Sequence, residues 1–305
     1  MRLSFKSLIC ATDFSDLSNH AVFYGIYLAK EFNAKLYLCH VIDISSATLY
    51  GEATFTFESQ HIHMEDYAYE RLKRLIGDHQ VDWEPLVTTG RAADEIVRMA
   101  EEKGVDMAIT ATRGRSGLKR LILGSVTEHL MRTLPCPLLT IRRQDQDSIV
   151  PTDKEIRFKR ILVGCDFSPD SNLAFQYGLS LAQEFQSDLH LVHVIEPPIY
   201  KDIPKSVEDA REEFRKNLHK QLNDKLEGMV PMEARNWCKP KMMLLTGQTH
   251  EELSKYAVVQ DIDLLVLGVT GHGLVESLFV GSTTDRVIRK APCTVLSVRP
   301  MSQDA

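Results

Sequence analysis

The feature that most constrains this chain is an internal repeat. Residues 5–43, FKSLICATDFSDLSNHAVFYGIYLAKEFNAKLYLCHVID, align without a gap to residues 158–196, FKRILVGCDFSPDSNLAFQYGLSLAQEFQSDLHLVHVIE. The offset is 153, and roughly half the positions are identical. Farther on, TRGRSGLKRLILGSVTEHLMRTLPCPLLTIR (112–142) matches VTGHGLVESLFVGSTTDRVIRKAPCTVLSVR (269–299) at an offset of 157. Such self-similarity means a duplicated structural unit, and each half is long enough to bury a core of its own. The change of offset places a net insertion in the middle of the second copy, where Pro197, Pro198 and Pro204 mark a loop. The join, RRQDQDSIVPTDKEIRF (142–158), is polar and charged with one proline, as a surface linker is. Domains are expected at 1–145 and 155–305.

Each copy alternates apolar runs with helical patterns. In the first, SLICATD (7–13) reads as a buried strand, followed by Ala21, Tyr24, Gly25 and Leu28 at helical spacing. KLYLCHVI is a second strand, a helix covers about 60–79, and WEPLVTTG is a third strand. AADEIVRMAEEKG is an amphipathic helix ended by Gly104; DMAITAT, SVTEHLMRTL and CPLLTIR complete the copy as strand, helix and strand. Strands apolar on both faces and alternating with helices give an α/β fold, a parallel sheet covered on both sides. Right-handed crossovers make it doubly wound, with ligands expected beyond the carboxyl ends of strands one and four.

Composition removes several classes of function. The net charge of −6, with no run of Lys or Arg, argues against nucleic acid as the main partner. No stretch is long enough to span a membrane, and the apolar start is broken by Asp13, so the cytoplasm is the expected location. Cys10, Cys39, Cys136, Cys165, Cys238 and Cys293 form no CxxC pair and are expected as buried, reduced thiols. His61 and His63 lack a surrounding Cys or carboxylate pattern, so no metal site is expected.

The chemistry lies at the strand ends. After strand four the second copy reads Gly268-Val269-Thr270-Gly271, nine residues, then Gly281-Ser282-Thr283; the first reads Ala111-Thr112-Arg113-Gly114, nine residues, then Gly124-Ser125-Val126. Glycines allow sharp turns and close approach to a ligand, and each Gly-Ser immediately precedes a helix, whose free N–H groups suit a phosphate. The same Gly-Ser also reads as a plain helix cap. Asp13 and Asp166 end strand one and suit either a ribose or base contact or local capping. Val41 and Val194, at the end of strand two, offer backbone groups to an adenine edge or are strand core. His40 and His193 beside them read as packing rather than catalysis.

The pattern Gly-x2-Gly-x9-Gly-Ser, with an Asp ending strand one and a Pro-Cys before the last apolar strand, resembles the universal stress protein family. The likeness covers nearly the whole chain and points to the tandem members. It implies two five-stranded sheets in the order 3-2-1-4-5 and binding of ATP, or of AMP or ADP, with Mg2+. By the same resemblance the first nucleotide site would be Asp13, Val41, Ala111, Thr112, Arg113, Gly114, Arg115, Gly124, Ser125, Val126 and Thr127. The second would be Asp166, Val194, Gly268, Val269, Thr270, Gly271, His272, Gly281, Ser282, Thr283 and Thr284.

Two departures bear on which copy binds. Ala111 stands where the family has its first glycine, which is harmless at negative φ and damaging otherwise. The second copy replaces Arg113, Arg115, Lys119 and Arg120 by Thr270, His272, Glu276 and Ser277. Because exposed arginines are screened and a strained methyl is not, the second copy is expected to bind ATP more tightly. With no GxxxxGK[ST] loop and no nucleophile–base pattern, the expectation is a nucleotide-responsive stress or signalling module, not an enzyme. The alternative is a ligand-independent scaffold acting through protein contacts. The fifth strands, as exposed edges, are expected to pair with each other inside the chain, or in a homodimer.

Overall fold

The computed structural model describes residues 4–43, 57–112, 123–142, 156, 158–196, 208–238, 240–269 and 281–300. The Pro-marked loop, both nine-residue glycine loops and most of the linker lie outside them. The chain divides into two compact units, one built on Ser4–Ile156 and one on Arg157–Arg299.

The first unit runs β1 (Ser7–Ala11), α1 (Asp16–Phe32), β2 (Lys35–Ile42), α2 (Phe57–Ile76), β3 (Trp83–Thr89), α3 (Ala92–Lys103), β4 (Met107–Ala111), α4 (Ser125–Thr133) and β5 (Leu138–Ile141). All pairings are parallel, in the order β3-β2-β1-β4-β5. The second unit runs β6 (Arg160–Gly164), α5 (Pro169–Phe185), β7 (Asp188–Ile195), α6 (Glu208–Met229), β8 (Lys241–Thr246), α7 (Thr249–Val259), β9 (Leu264–Gly268), α8 (Ser282–Lys290) and β10 (Thr294–Val298). Its order, β8-β7-β6-β9-β10, repeats the first.

The central strands are apolar on both faces because helices cover both sides: Leu8, Ile9, Leu36, Leu38, Ile109 and Leu139 are fully buried. Each such side chain contributes about 1.5–3 kcal/mol relative to exposure. Asp106, just before β4, accepts from the N–H groups of Lys6 (2.6 Å) and Ser7 (2.9 Å) and so pins β4 beside β1. Asp263 does the same for β6 through the Arg160 N–H at 2.8 Å. Gly90 and Gly247, at φ 153° and 152°, turn the chain sharply between the third strand and the next helix. A Cβ there would lie 2.9 Å from Glu95 Cγ or 2.7 Å from Glu252 Cγ. This turn brings the start of α3, at Ala92, to the carboxyl edge of the sheet.

Helix α2 stops at Ile76, three residues earlier than its periodicity suggests. Gly77 takes a left-handed φ of 54° and its N–H closes on the Lys73 carbonyl at 2.9 Å. All six cysteines are buried thiols, none in a disulfide. Burial pushes the Cys39 thiol up to about 12, and it also raises Cys10 and Cys165. None of these three is a thiolate at neutral pH. Among the described residues no helix is long and apolar enough to cross a membrane.

Candidate nucleotide site

At the carboxyl end of the first sheet, β1 separates β2 on one side from β4 on the other, which is the switch point of a doubly wound sheet. A cleft of about 230 Å3 opens there. Its floor is Ala11, Thr12 and Ala111, at the ends of β1 and β4. One wall is apolar, formed by Cys39 and Val41 of β2 with Ala92 and Ile96 of α3. The opposite wall is the start of α4: Gly124, Ser125, Val126 and Thr127. Of the first-copy site residues that the sequence suggested, Asp13, Val41, Ala111 and Gly124 to Thr127 therefore share one pocket. Arg113, Gly114 and Arg115 lie outside the described residues. Thr112 is buried behind the floor, its N–H bonded to the Ile141 carbonyl at 3.0 Å.

Helix α1 is capped by Ser15, whose hydroxyl accepts from the Ser18 N–H. Helix α4 starts differently. Its N-cap is Gly124, with no side-chain cap, so the N–H groups of its first turn lack an intrahelical acceptor and carry the positive dipole end into the cleft. The Gly124 N–H itself is committed to the Thr112 carbonyl at 2.8 Å, closing the nine-residue loop at its base. Gly281 and Val269 repeat this bond at 2.8 Å in the second unit. Gly124 and Gly281 have φ of −66° and −57°, so neither is needed for an unusual turn. Their missing Cβ keeps the approach to the helix start open.

Several suggested contacts have structural work. Asp13 Oδ1 accepts from the Ser18 hydroxyl at 2.6 Å and the Ser15 N–H at 3.0 Å, and Asp166 Oδ1 accepts from the Ser168 N–H at 2.9 Å. In both copies the aspartate thus braces the turn before the helix, while Ser15 and Ser168 supply the caps. The Thr127 hydroxyl donates to the Ala111 carbonyl and the Thr284 hydroxyl to the Gly268 carbonyl, each at 2.8 Å. Those hydroxyls brace the helix start against strand four and are not free to donate to a phosphate. His40 Nδ1 lies 2.8 Å from the Thr12 carbonyl and His193 Nδ1 2.7 Å from the Cys165 carbonyl. A carbonyl only accepts, so each Nδ1 carries the proton, and burial lowers the His193 pKa. Both imidazoles are packing groups.

The premise behind ranking the second copy first does not hold. Ala111 closes β4 and is not among the residues with positive φ, so its methyl is unstrained. Gly268 is required for another reason. A Cβ there would lie 2.7 Å from the Asp170 carbonyl carbon, 2.8 Å from its Cβ and 3.0 Å from its oxygen. The first turn of α5 therefore packs against the end of β9, as α1 packs on β4 in the first unit. Asp170 is itself buried. Where Ala92 lines the first cleft, the second unit has Thr249, whose hydroxyl donates to Glu196 at 2.7 Å. Of the second-copy site residues, Asp166, Gly281 and Thr284 repeat the hydrogen bonds of Asp13, Gly124 and Thr127, while Thr270, Gly271 and His272 lie outside the described residues.

The profile of the universal stress protein family matches residues 4–142 and again 157–299. The chain belongs to that family. A universal stress protein of Methanocaldococcus jannaschii is 32% identical over 145 residues, 47% of this chain and 85% of that protein. A universal stress protein E homolog of Haemophilus influenzae is similar end to end, 22% identical over 99% of this chain and 100% of its own. In fold, the crystal structure of a universal stress protein from Archaeoglobus fulgidus matches 96% of this chain and 98% of its own, with a TM-score of 0.65 at 19% identity. The chain is thus a tandem universal stress protein.

Two features of this tandem protein are not evident from motif spacing. Ala92 and Ile96 reach the cleft only through the α3 crossover; their signal in the sequence was the small residue two places after Gly90. The second is a stack found in both units. Phe14, at φ 64°, lies 4.2 Å from His40 between ring centroids, with the Arg71 guanidinium 4.4 Å above its face. Phe167, at φ 65°, repeats this with His193 at 4.8 Å and Lys225 at 5.4 Å. A left-handed φ at an aromatic residue costs about 1–2 kcal/mol. The Asp-Phe-Ser turn retains it in both copies, where the ring fills the space beside the histidine.

Proposed function

We propose that the first unit binds an adenine nucleotide in the cleft between β1 and β4, and that the protein works as a nucleotide-responsive, non-enzymatic stress module of the cytoplasm. The observation that carries this reading is the uncapped start of α4 facing an apolar wall across one pocket at the switch point. The wall of Val41, Cys39, Ala92 and Ile96 suits a flat base, and the N–H groups of Ser125 and Val126 suit a phosphate. The residues present therefore fit ATP, or AMP or ADP, with Mg2+ carried in on the phosphates. A non-catalytic role is supported by the protonated Cys39 thiol and by the imidazole of His40 turned onto a backbone carbonyl.

In the second unit the ligand-independent reading is favoured, because Thr249, bonded to Glu196, stands where Ala92 gives the first cleft apolar surface. That unit then serves as scaffold. β5 and β10 are edge strands within their own units, and pairing of these edges, or of two chains into a homodimer, belongs to the same proposal. Sedimentation of the purified chain with and without nucleotide tests the homodimer. Mass spectrometry of small molecules released from the purified protein tests the function. An adenine nucleotide is expected, lost from the Gly124→Val protein and kept by Gly281→Val; its absence from the native protein, together with no binding of added ATP, would overturn the reading.

A further inference from the structure

A second concavity lies on the outer helix α2. It is shallow and open to solvent, roughly 400 Å3, and is lined by Tyr67, Arg71, Arg74 and Leu75. These residues recur at intervals of three and four, so they share one face of the helix. Among the described residues neither Arg71 nor Arg74 has a carboxylate partner, although the neighbouring Lys73 is paired with Glu70 at 3.1 Å. Two guanidiniums lining one hollow with no carboxylate partner among the described residues are notable in a chain with a net charge of −6.

Arg71 is also held in place. Its guanidinium lies on the Phe14 ring at 4.4 Å, and Nη1 donates to the Tyr67 hydroxyl at 3.3 Å. A guanidinium ordered in this way loses less freedom on binding than a solvated one. Arg74 stands one turn on, at the rim. Leu75 and the exposed Tyr67 ring supply apolar surface beside the two charges. The carboxyl end of α2 opposes an anion with about half a unit of negative charge, against two full positive charges from the arginines.

We propose that this hollow binds a small organic phosphate, with its phosphoryl group between Arg71 and Arg74 and its carbon body against Tyr67 and Leu75. Two arginines with N–H donors in fixed planes match a phosphate better than a single lysine would. The site is specific to the first unit. At the positions aligned with Tyr67 and Arg74 the second copy has Gln221 and Gly228, and only the cation over the phenylalanine, Lys225, is kept. Because Phe14 follows Asp13, the hollow and the cleft are separate sites joined through one turn.

The test is NMR titration of the full chain with phenyl phosphate, reading backbone amides and arginine Nε–H signals. Shifts are expected at residues 67–75, saturating at lower concentration than with inorganic phosphate. Arg74→Gln should weaken binding about five- to tenfold, as loss of one charge-assisted contact does, while Lys73→Gln leaves it unchanged. Shifts confined to 124–127 would overturn the α2 site and leave the cleft reading intact. Equal weakening by Lys73→Gln, or inorganic phosphate binding as tightly, would also overturn it. Shifts at 67–75 with none at 124–127 on adding ATP would uphold this site and count against the cleft.

Discussion

Replacing Gly268 by Ala separates two explanations of a glycine that the family motif would assign to the ligand. Carbon atoms pack best at about 3.5–4.0 Å, and the new methyl would start 2.7 Å from a backbone carbon of Asp170. The first turn of α5 must then retreat by roughly 1 Å, because backbone cannot rotate aside as a side chain can. Overpacking of this kind costs about 1–3 kcal/mol. Loss of glycine freedom in the unfolded chain returns about 0.4–1 kcal/mol. The expected net destabilisation is thus about 1–2 kcal/mol, confined to the second unit. Each unit holds one tryptophan, Trp83 or Trp237, so urea unfolding in a Trp83→Phe background reads the second unit through Trp237. Nucleotide affinity of the intact chain should not change. Undiminished stability together with lost nucleotide binding would refute the packing argument and return Gly268 to the ligand.

Other perturbations follow from the same geometry. Gly124→Val keeps an allowed φ and costs about 1 kcal/mol or less of helix capping, yet its branched side chain should remove nucleotide binding; calorimetry with a circular dichroism control checks both. Thr127→Val leaves the buried Ala111 carbonyl without its 2.8 Å donor and should destabilise the first unit by about 1–2 kcal/mol in denaturant titration. His190 is fully buried, with Nδ1 3.0 Å from the Tyr256 hydroxyl. Burial first, then Lys241, lowers its pKa below 6.5. The unfolded chain therefore takes up a proton more readily, so the second unit keeps this stability above pH 6.5 and loses it as pH falls through the folded pKa. His190→Phe should flatten the dependence of its unfolding midpoint between pH 7.5 and 5.

Much of the fold was legible because duplication and apolar runs are one-dimensional signals. The repeat located both units, and strands such as SLICA and RILVG announced burial on both faces. Seven of the first-copy site residues meet in one cleft because a doubly wound topology brings strands one, two and four and the last helix to one edge. What spacing could not convey was distance between elements. The aligned pair Ala111 and Gly268 looked like a damaged and an intact ligand loop. In the structure the alanine is unstrained at the floor of the cleft, and the glycine lets the first turn of α5 approach its strand closely. Nor could the sequence show that Thr127 and Thr284, named as site residues by the family resemblance, spend their hydroxyls on the carbonyls that end strand four. Ala92 and Ile96 carried no chemical signature, since they give the cleft only apolar surface.

The central claim is that the first cleft, and not its counterpart, takes the nucleotide. Titration calorimetry of ATP with Mg2+ into the full chain tests it most directly. The account predicts one nucleotide per chain, with binding abolished by Gly124→Val and retained in Gly281→Val. Two nucleotides per chain, or a single site lost in Gly281→Val and kept in Gly124→Val, would contradict it.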